Sequence, residues 1–115
     1  MTKPTPTPRR VIIESPYAGD TSANTDYARA CLAHSLALGE APLASHLLYT
    51  QPGVLDDNLT AERAQGIAAN LAWITLAEAL VVYTDLGISH GMRAAITHAT
   101  ASAVPIELRY LEEFS

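Results

Sequence analysis

Short apolar segments alternate with amphipathic segments along most of this chain. Val11–Ile13 and Ala79–Tyr83 are apolar runs of the kind that form strands covered on both faces. Weaker strand signals occur at Pro42–Ser45 and Pro105–Tyr110. The pair Ser15–Pro16 closes the first run, because proline has no N–H group to donate to a neighbouring strand. The pattern therefore predicts four strands.

The segments between these strands show the periodicity of helices with one buried face. The predicted helices cover Asn24–Leu38, Thr60–Ala77 and Gly91–Ala103. Asn24 and Thr60 are of residue types that cap helix starts, so we expect each to be an N-cap. The region from residue 50 to 58 has no periodic pattern, and a loop of that length in a small domain is often functional.

This alternation of strands and helices predicts a parallel sheet, because parallel neighbours need crossover connections, which are right-handed. We expect a three-layer α/β/α sandwich with a four-stranded parallel Rossmann-like (flavodoxin-like) sheet in the order 2-1-3-4. Residues 1–10 are rich in Pro and Thr and are predicted to be a disordered tail, so the domain covers residues 11–115. Ligands of such sheets bind beyond the carboxyl ends of the strands, where the strand order reverses.

Composition and charge narrow the possible partners. The 115 residues are 49% hydrophobic and 17% charged, which suits one compact domain. The net charge of −5 argues against binding to nucleic-acid phosphates. The apolar runs are too short to span a membrane and no signal segment is apparent, so we expect a cytoplasmic protein.

Cys31 lies on a helical pattern and is expected to be a buried structural thiol.

Polar and aromatic side chains follow the predicted strands, where a ligand would bind. The candidate ligand-binding residues are Ser15, Pro16, Tyr17, His46, Asp56, Asp57, Arg63, Asp85, Ser89, His90, Gly91 and Met92. At Ser89–Met92 the free N–H groups of a helix start, a hydroxyl group and a glycine could form a cradle for an anion. The alternative is that Ser89 only caps the helix and Gly91 relaxes the turn.

The other candidates also have two interpretations each. The ring of Tyr17 suits stacking on a base, or it covers the core. His46 reaches the same crevice or is a half-buried histidine bonded to backbone. Asp56 and Asp57 accept hydrogen bonds from ribose hydroxyls or shape the turn, and Arg63 binds phosphate or is solvated.

The sequence gives no sign of a metal site or a bound cofactor. His34 and His98 lie on predicted helices, and neither has a histidine, cysteine or carboxylate at the i+4 spacing of a metal-binding pair. We therefore assign no metal ligand and no cofactor.

Three short motifs occur in register with this pattern of strands and helices. They are Ser15–Gly19 (Ser-Pro-Tyr-x-Gly), Leu55–Asp57 with Glu62–Arg63, and Ile88–Met92 (Ile-Ser-x-Gly-Met). In this order, over Val11–Leu108, they resemble the small, often phage-borne branch of the nucleoside 2-deoxyribosyltransferase-like superfamily. The resemblance implies a site for a nucleotide or a nucleoside.

The resemblance also implies where a catalytic nucleophile would lie. The transferases of that superfamily use a glutamate on the helix after the third strand to attack the sugar's anomeric carbon, and Ala95 stands at the matching position. No Glu or Asp occurs between Leu86 and Pro105, so a small shift of the alignment does not restore the acid. Asp85 or Glu14 is the alternative acid, because carboxylates at strand ends can take over such a role.

The expected function is therefore binding without catalysis. Some small phage proteins of the superfamily sequester ADP-ribose-type cyclic signals of bacterial defence systems, and the resemblance implies such a role here, in the host cytoplasm. One alternative is a nucleoside 2-deoxyribosyltransferase or N-glycoside hydrolase with rebuilt acids. Another is a regulatory or interaction domain with a vestigial crevice. We also expect a closed homo-oligomer, a dimer or tetramer, because helix faces rich in Ala, Leu and Trp73 would otherwise be exposed.

Overall fold

The protein is described by a computed structural model that covers residues 7–112 and contains four strands and four helices. The strands are β1 (Arg10–Glu14), β2 (Ala41–Leu43), β3 (Ala79–Tyr83) and β4 (Ile106–Arg109). The helices are α1 (Thr21–Ala37), α2 (Ser45–Leu48), α3 (Thr60–Leu76) and α4 (His90–Ala101). No helix between residues 7 and 112 is both long enough and apolar enough to cross a membrane.

The strands form one parallel sheet in the order β2-β1-β3-β4, which confirms the predicted sandwich and its strand order. In the register of the central pair, Val11 lies beside Ala79 and Glu14 beside Val82. The chain leaves β1 toward β2 on one side and returns to β3 on the other. The order therefore reverses between β1 and β3, and the crevice beyond their carboxyl ends is the expected place for a ligand.

The sheet separates two apolar clusters, because successive side chains of a strand point to opposite faces. On the α1 side, Val11 and Ile13 pack with Tyr27 and Cys31. The cluster on the α3 and α4 side is Ile12, Ile74, Leu80, Val82, Met92, Ala95, Ala99 and Val104. Burial of a side chain the size of Leu or Ile contributes about 1.5–3 kcal/mol, so these two clusters supply most of the driving force for folding. The buried thiol predicted for Cys31 is confirmed.

The predicted cap of the first helix is wrong. The side chain of Asp20 accepts a hydrogen bond from the N–H group of Ala23 at 3.1 Å, and α1 begins at Thr21, three residues before Asn24. Asn24 lies inside the helix, and its amide group donates to the carbonyl oxygens of Tyr17 and Ala18 at 3.0 and 3.1 Å. Asp20 takes the role because its carboxylate precedes the first free N–H groups, whereas Asn24 holds the preceding loop.

Two further boundaries differ from the prediction. Ser45 begins α2 and does not end β2, because the carbonyl oxygen of Ala44 already accepts a helical hydrogen bond from Leu48. Thr60 is the first residue of α3 and not its cap. The extended residue Leu59 takes the N-cap position, and its carbonyl oxygen accepts from the N–H group of Arg63 at 2.8 Å.

Arg9 and Arg10 belong to the fold, although the sequence places them in the tail. Arg10 begins β1, and the guanidinium group of Arg9 pairs with the carboxylates of Glu40 and Glu107. Arg109 pairs with the same two carboxylates, at 2.6 Å to Glu40 and 3.1 Å to Glu107. We call these four side chains the ion cluster. Residues 1–6 of the predicted tail lie outside the described residues.

Candidate functional site

The carboxyl ends of β1 and β2 open onto a cleft of about 640 Å³. Its walls are the loop after β1, the loop from residue 50 to 58, and the first turn of α3. Of the predicted site residues, this cleft brings together Tyr17, Asp56, Asp57 and Arg63. Small-molecule sites have volumes of ~300–1,000 Å³, so the cleft is large enough for a nucleotide.

Hydrogen bonds hold the polar wall of the cleft in position. The carboxylate of Asp56 accepts from the N–H group of Asn58 at 2.9 Å, and Glu62 accepts from the N–H group of Asp56 at 3.1 Å. The guanidinium group of Arg63 donates to Asp57 at 3.1 Å. Both of these side chains are partly exposed, and such pairs contribute only about 0–1 kcal/mol. Arg63 can therefore turn from Asp57 to an anionic ligand at little cost.

Ser15 and His46 form a contact between the end of β1 and helix α2. The Ser15 hydroxyl lies 2.7 Å from Nε2 of His46, and Ser15 is buried. Burial lowers the pKa of His46 to about 4, so the ring is neutral at physiological pH. Neither side chain lines the cleft, and Pro16 is also buried. These residues fasten α2 to the end of β1 and thereby position the Tyr17 loop.

The predicted candidate Asp85 holds the segment after β4 to the core. Its carboxylate accepts a hydrogen bond from the Tyr27 hydroxyl and two from the N–H group of Leu111, at 3.0 and 2.9 Å. The N–H group of Asp85 in turn donates to the Tyr27 hydroxyl at 2.9 Å. These bonds join β3, α1 and the segment after β4, so the carboxylate has a structural role at this place.

The start of α4 lies away from the cleft and is capped by its own side chains. The Ser89 hydroxyl accepts from the N–H group of Met92, and the Met92 sulfur accepts from the N–H group of Ser89, both at 3.3 Å. His90 and Gly91 are exposed, whereas Met92 is buried in the core. A Cβ atom added at Gly91 would meet nothing within 4 Å, so no neighbouring group packs closely against this glycine. The helix start therefore has the cap that the alternative interpretation of Ser89 predicts, and Ser89–Met92 do not line the cleft.

Glu14 is a buried carboxyl group at the end of the central strand. It is 6% exposed, and its Oε2 accepts a hydrogen bond from the amide nitrogen of Asn70 at 2.9 Å. Burial raises its pKa to about 7. Oδ1 of Asn70 is the one buried side-chain oxygen or nitrogen among residues 7–112 that lacks a hydrogen-bond partner.

Sequence reasoning considered Glu14 only as a substitute acid and overlooked Asn70. One signal was available, because Asn70 precedes the apolar position Ile74 by one helical turn and so shares its face of α3. A second signal was the position of Glu14 directly after the apolar run Val11–Ile13, because the end of a strand that is covered on both faces lies inside the fold.

A second groove, of about 490 Å³, lies beside the cleft along β2. Its walls include Arg29, Leu43 and Leu47, and it shares Tyr17 with the cleft. Tyr17 thus stands between two open spaces, which favours a role in contact with a ligand over a role in covering the core.

Residues 7–112 contain no group of three His, Cys, Asp or Glu side chains that could hold a metal ion.

Fold and cleft together define a Rossmann-like α/β domain with an open cleft, the size of a small molecule, at the carboxyl edge of its sheet. Residues 9–109 match the family described as "Domain of unknown function (DUF7768)", and the chain belongs to this family. No protein with a curated description matches the chain. The match spans all four strands and all three walls of the cleft, so the site belongs to the part of the chain that defines the family.

Proposed function

We propose that this protein binds a nucleotide-derived small molecule, of the ADP-ribose type or a cyclic nucleotide signal, and does not cleave it. One observation carries the proposal. The cleft presents an aromatic ring, two carboxylates and a guanidinium group to one space beyond the carboxyl ends of β1 and β2. The resemblance to the nucleoside 2-deoxyribosyltransferase-like superfamily supports the same ligand class. In a phage, such binding would sequester a defence signal in the host cytoplasm.

Each side chain of the cleft suits one part of such a ligand. The ring of Tyr17 stacks on the base, since every base offers a flat face to an aromatic side chain. Asp56 and Asp57 accept hydrogen bonds from ribose hydroxyls. The planar guanidinium group of Arg63 binds phosphate oxygens with two parallel hydrogen bonds.

Two features support binding without catalysis. Ala95, at the position where the resemblance implies a nucleophilic glutamate, is 1% exposed and packs in the core between α4 and the sheet. Asp85 already accepts hydrogen bonds from Tyr27 and Leu111. Neither position offers a free carboxylate to a sugar in the open cleft.

A second candidate function rests on Glu14. A carboxyl group with a pKa of about 7 is partly ionised at neutral pH, which suits a general acid or base. The second candidate is therefore an N-glycoside hydrolase or deoxyribosyltransferase in which Glu14 is the rebuilt acid.

Base release distinguishes these two functions. We expect no free base from nucleosides, deoxynucleosides or NAD over hours at micromolar protein, measured by chromatography. Turnover that is lost in Glu14→Gln and retained in Asp26→Asn, an exposed change on α1, would establish the second candidate in place of the first.

Binding is tested by calorimetry with ADP-ribose, its cyclic isomers, cyclic dinucleotides and common nucleosides. We expect one class to bind intact and to be recovered unchanged after heating. Tyr17→Ala should weaken that binding about ten- to hundredfold, because a base–aromatic contact contributes ~1–3 kcal/mol. Tyr110→Ala, at an exposed tyrosine after β4, is the matched control. The proposal fails if no compound binds, or if Tyr17→Ala binds as tightly as the parent.

The exposed face of α3 supports a further part of the proposal, a closed homo-oligomer. Within the described chain, Ile74 is the one fully buried residue of α3, whereas Trp73 and Leu76, three positions apart on one face, are exposed. No charged residue occurs from Ala64 to Ala77. A second copy can cover such a face without bringing like charges together, and identical chains with apolar patches form point-group assemblies.

A further inference from the structure

The two outer strands of the sheet present different edges to solvent. In β2, the N–H group of Ala41 donates to the carbonyl oxygen of Arg9, just before β1. Successive residues of a strand turn their N–H and C=O groups to opposite sides, so the backbone groups of Pro42 point outward. Proline has no N–H group, and the edge of β2 therefore lacks the donor that another strand would need there.

The edge at β4 has no such protection. The carbonyl oxygens of Pro105 and Arg109 accept hydrogen bonds from β3 and from the residue that follows β3, at 2.8 Å each. By the same alternation, Ile106 and Leu108 turn their N–H and C=O groups away from β3. In the part of the chain that the structure describes, β4 pairs with β3 alone. The outer edge of β4 is therefore an open row of donors and acceptors, which can receive one more strand.

The side chains of this edge are apolar on one face and oppositely charged on the other. Ile106 and Leu108 lie beside Leu80 and Val82 and share their face of the sheet. Ile106 packs against the core there, whereas Leu108 is 64% exposed. Tyr110, two residues further on, is 60% exposed.

The other face of β4 carries Glu107 and Arg109, one charge of each sign. Both side chains belong to the ion cluster, whose two arginines and two glutamates cancel in charge. A second copy of this edge therefore brings no net charge with it, and each charged residue has its opposite within the same strand.

A second copy of β4 fits the edge when it runs antiparallel, with Leu108 opposite Leu108. This register places Ile106 opposite Tyr110, a β-branched side chain against an aromatic one. It also places Glu107 opposite Arg109, and both kinds of pair stabilise antiparallel strands. A shift by two residues, the smallest that keeps the hydrogen bonds, would put Glu107 opposite Glu107 or Arg109 opposite Arg109. The charges therefore favour one register.

We propose that β4 pairs with β4 of a second copy of this chain about a two-fold axis at Leu108, which joins the two sheets into one. This contact uses a different surface from the exposed face of α3. A chain that uses both contacts forms a tetramer, because each contact is two-fold symmetric. The inference does not depend on which ligand the cleft holds.

A disulfide bond tests the register. In a hydrogen-bonded antiparallel pair the opposing Cα atoms are ~5.5 Å apart, a distance that a disulfide spans. Leu108→Cys should therefore give a covalent dimer under mild oxidation, seen on a non-reducing gel. The native Cys31 is buried and does not compete.

Tyr110→Cys is the matched control, at a side chain of similar exposure. In the proposed register its two copies are four residue spacings apart, ~14 Å, so it should not cross-link. The inference is overturned if Leu108→Cys forms no covalent dimer, or if the two variants cross-link to the same extent.

Sedimentation tests the contact without a cross-link. Leu108→Lys places two positive charges opposite each other at the axis, so it should weaken the contact tenfold or more and halve the mass of the assembly at tens of micromolar. Leu36→Lys, at a residue of α1 that is 61% exposed, should sediment like the parent. Both changes are at exposed side chains, so circular dichroism should show the parent's fold.

Two results of sedimentation would overturn the inference. The first is a Leu108→Lys variant that sediments like the parent, which would leave the assembly to α3 alone. The second is a monomeric parent, which would leave the edge of β4 to a strand of another protein. Neither result bears on the binding of a ligand in the cleft, which calorimetry tests separately.

Discussion

Glu14, Ser15 and Tyr17 are close in sequence but have different surroundings. Glu14 is buried against Asn70 on one face of the sheet, and Ser15 contacts His46 on the other. Tyr17 is past the strand and lines the open cleft. The alternation of side chains along the strand thus places Glu14 and Ser15 on opposite faces, and of these three residues Tyr17 alone lines the cleft.

Glu14 should make the stability of the protein depend on pH. Its folded pKa of about 7 is above the value of 4.5 expected for an exposed glutamate, so the folded state binds the proton more tightly. The free energy of unfolding should therefore fall as the pH rises from about 4.5 to about 7, because the unfolded state releases the proton first. One pKa unit corresponds to ~1.4 kcal/mol, so the total effect is on the order of 3 kcal/mol.

This dependence is measured by urea denaturation between pH 5 and pH 8. Glu14→Gln should flatten it and make the protein more stable than the parent at pH 8, since the buried group can no longer ionise. Asp26→Asn is the reference and should keep the parent's dependence on pH. If the free energy of unfolding changes with pH equally in the parent and in Glu14→Gln, the raised pKa does not belong to Glu14.

Among the elements, the ion cluster joins β4 to the segments that enter β1 and β2. Glu40, just before β2, receives hydrogen bonds from Arg9, Arg109 and Ser35. These partners, with Arg109 the foremost, lower the pKa of Glu40 to about 2. The cluster thereby ties the start of β1 and the end of β4 to the turn that enters β2.

Glu40→Gln should destabilise the protein at neutral pH. Hydrogen bonds to charged groups contribute ~1.5–3 kcal/mol each, but Arg9 is exposed enough for solvent screening, so we expect a loss of about 2–3 kcal/mol. Because the folded pKa is depressed, this contribution is present above pH ~4.5 and is lost as the pH falls toward 2.

Thermal denaturation at pH 7 and pH 3 tests this expectation. The control is Glu78→Gln, which changes an exposed pair with Arg10 and should have a much smaller effect. The ion cluster does not stabilise the fold as expected if Glu40→Gln loses the same stability at both pH values. The same conclusion follows if its loss is no larger than that of the control.

At the scale of the whole molecule, helix α3 is unusual because a single copy of the chain leaves its large apolar side chains exposed to solvent. A 17-residue helix usually buries one face, yet Leu76 is 73% and Trp73 46% exposed here. Sedimentation at tens of micromolar should therefore give a dimer or tetramer.

Leu76→Glu should weaken this assembly tenfold or more, because it brings a charge into an apolar contact. Leu36→Glu, at a residue of α1 that is 61% exposed, should leave the assembly unchanged. A monomeric parent, or equal dissociation of the two variants, would exclude α3 as the interface.

The sequence by itself determined the four strands, the three long helices and the topology of this protein, but not the short helix α2. Apolar runs such as Ala79–Tyr83 and the helical periodicity of Thr60–Leu76 are local signals, and right-handed crossovers leave few ways to connect them. The cleft residues Tyr17, Asp56, Asp57 and Arg63 were predicted for the same reason, since strand ends in a parallel sheet share one edge.

Only the tertiary structure decided how the ionisable groups are paired. Glu14 meets Asn70 across 56 positions, Arg9 meets Glu107 across 98, and Tyr27 meets Asp85 across 58. Local patterns do not specify such contacts, because they depend on which faces of the sheet and helices are packed together. The pKa of a carboxyl group follows from that packing, so the chemistry of Glu14, Glu40 and Asp85 became visible only in the folded chain.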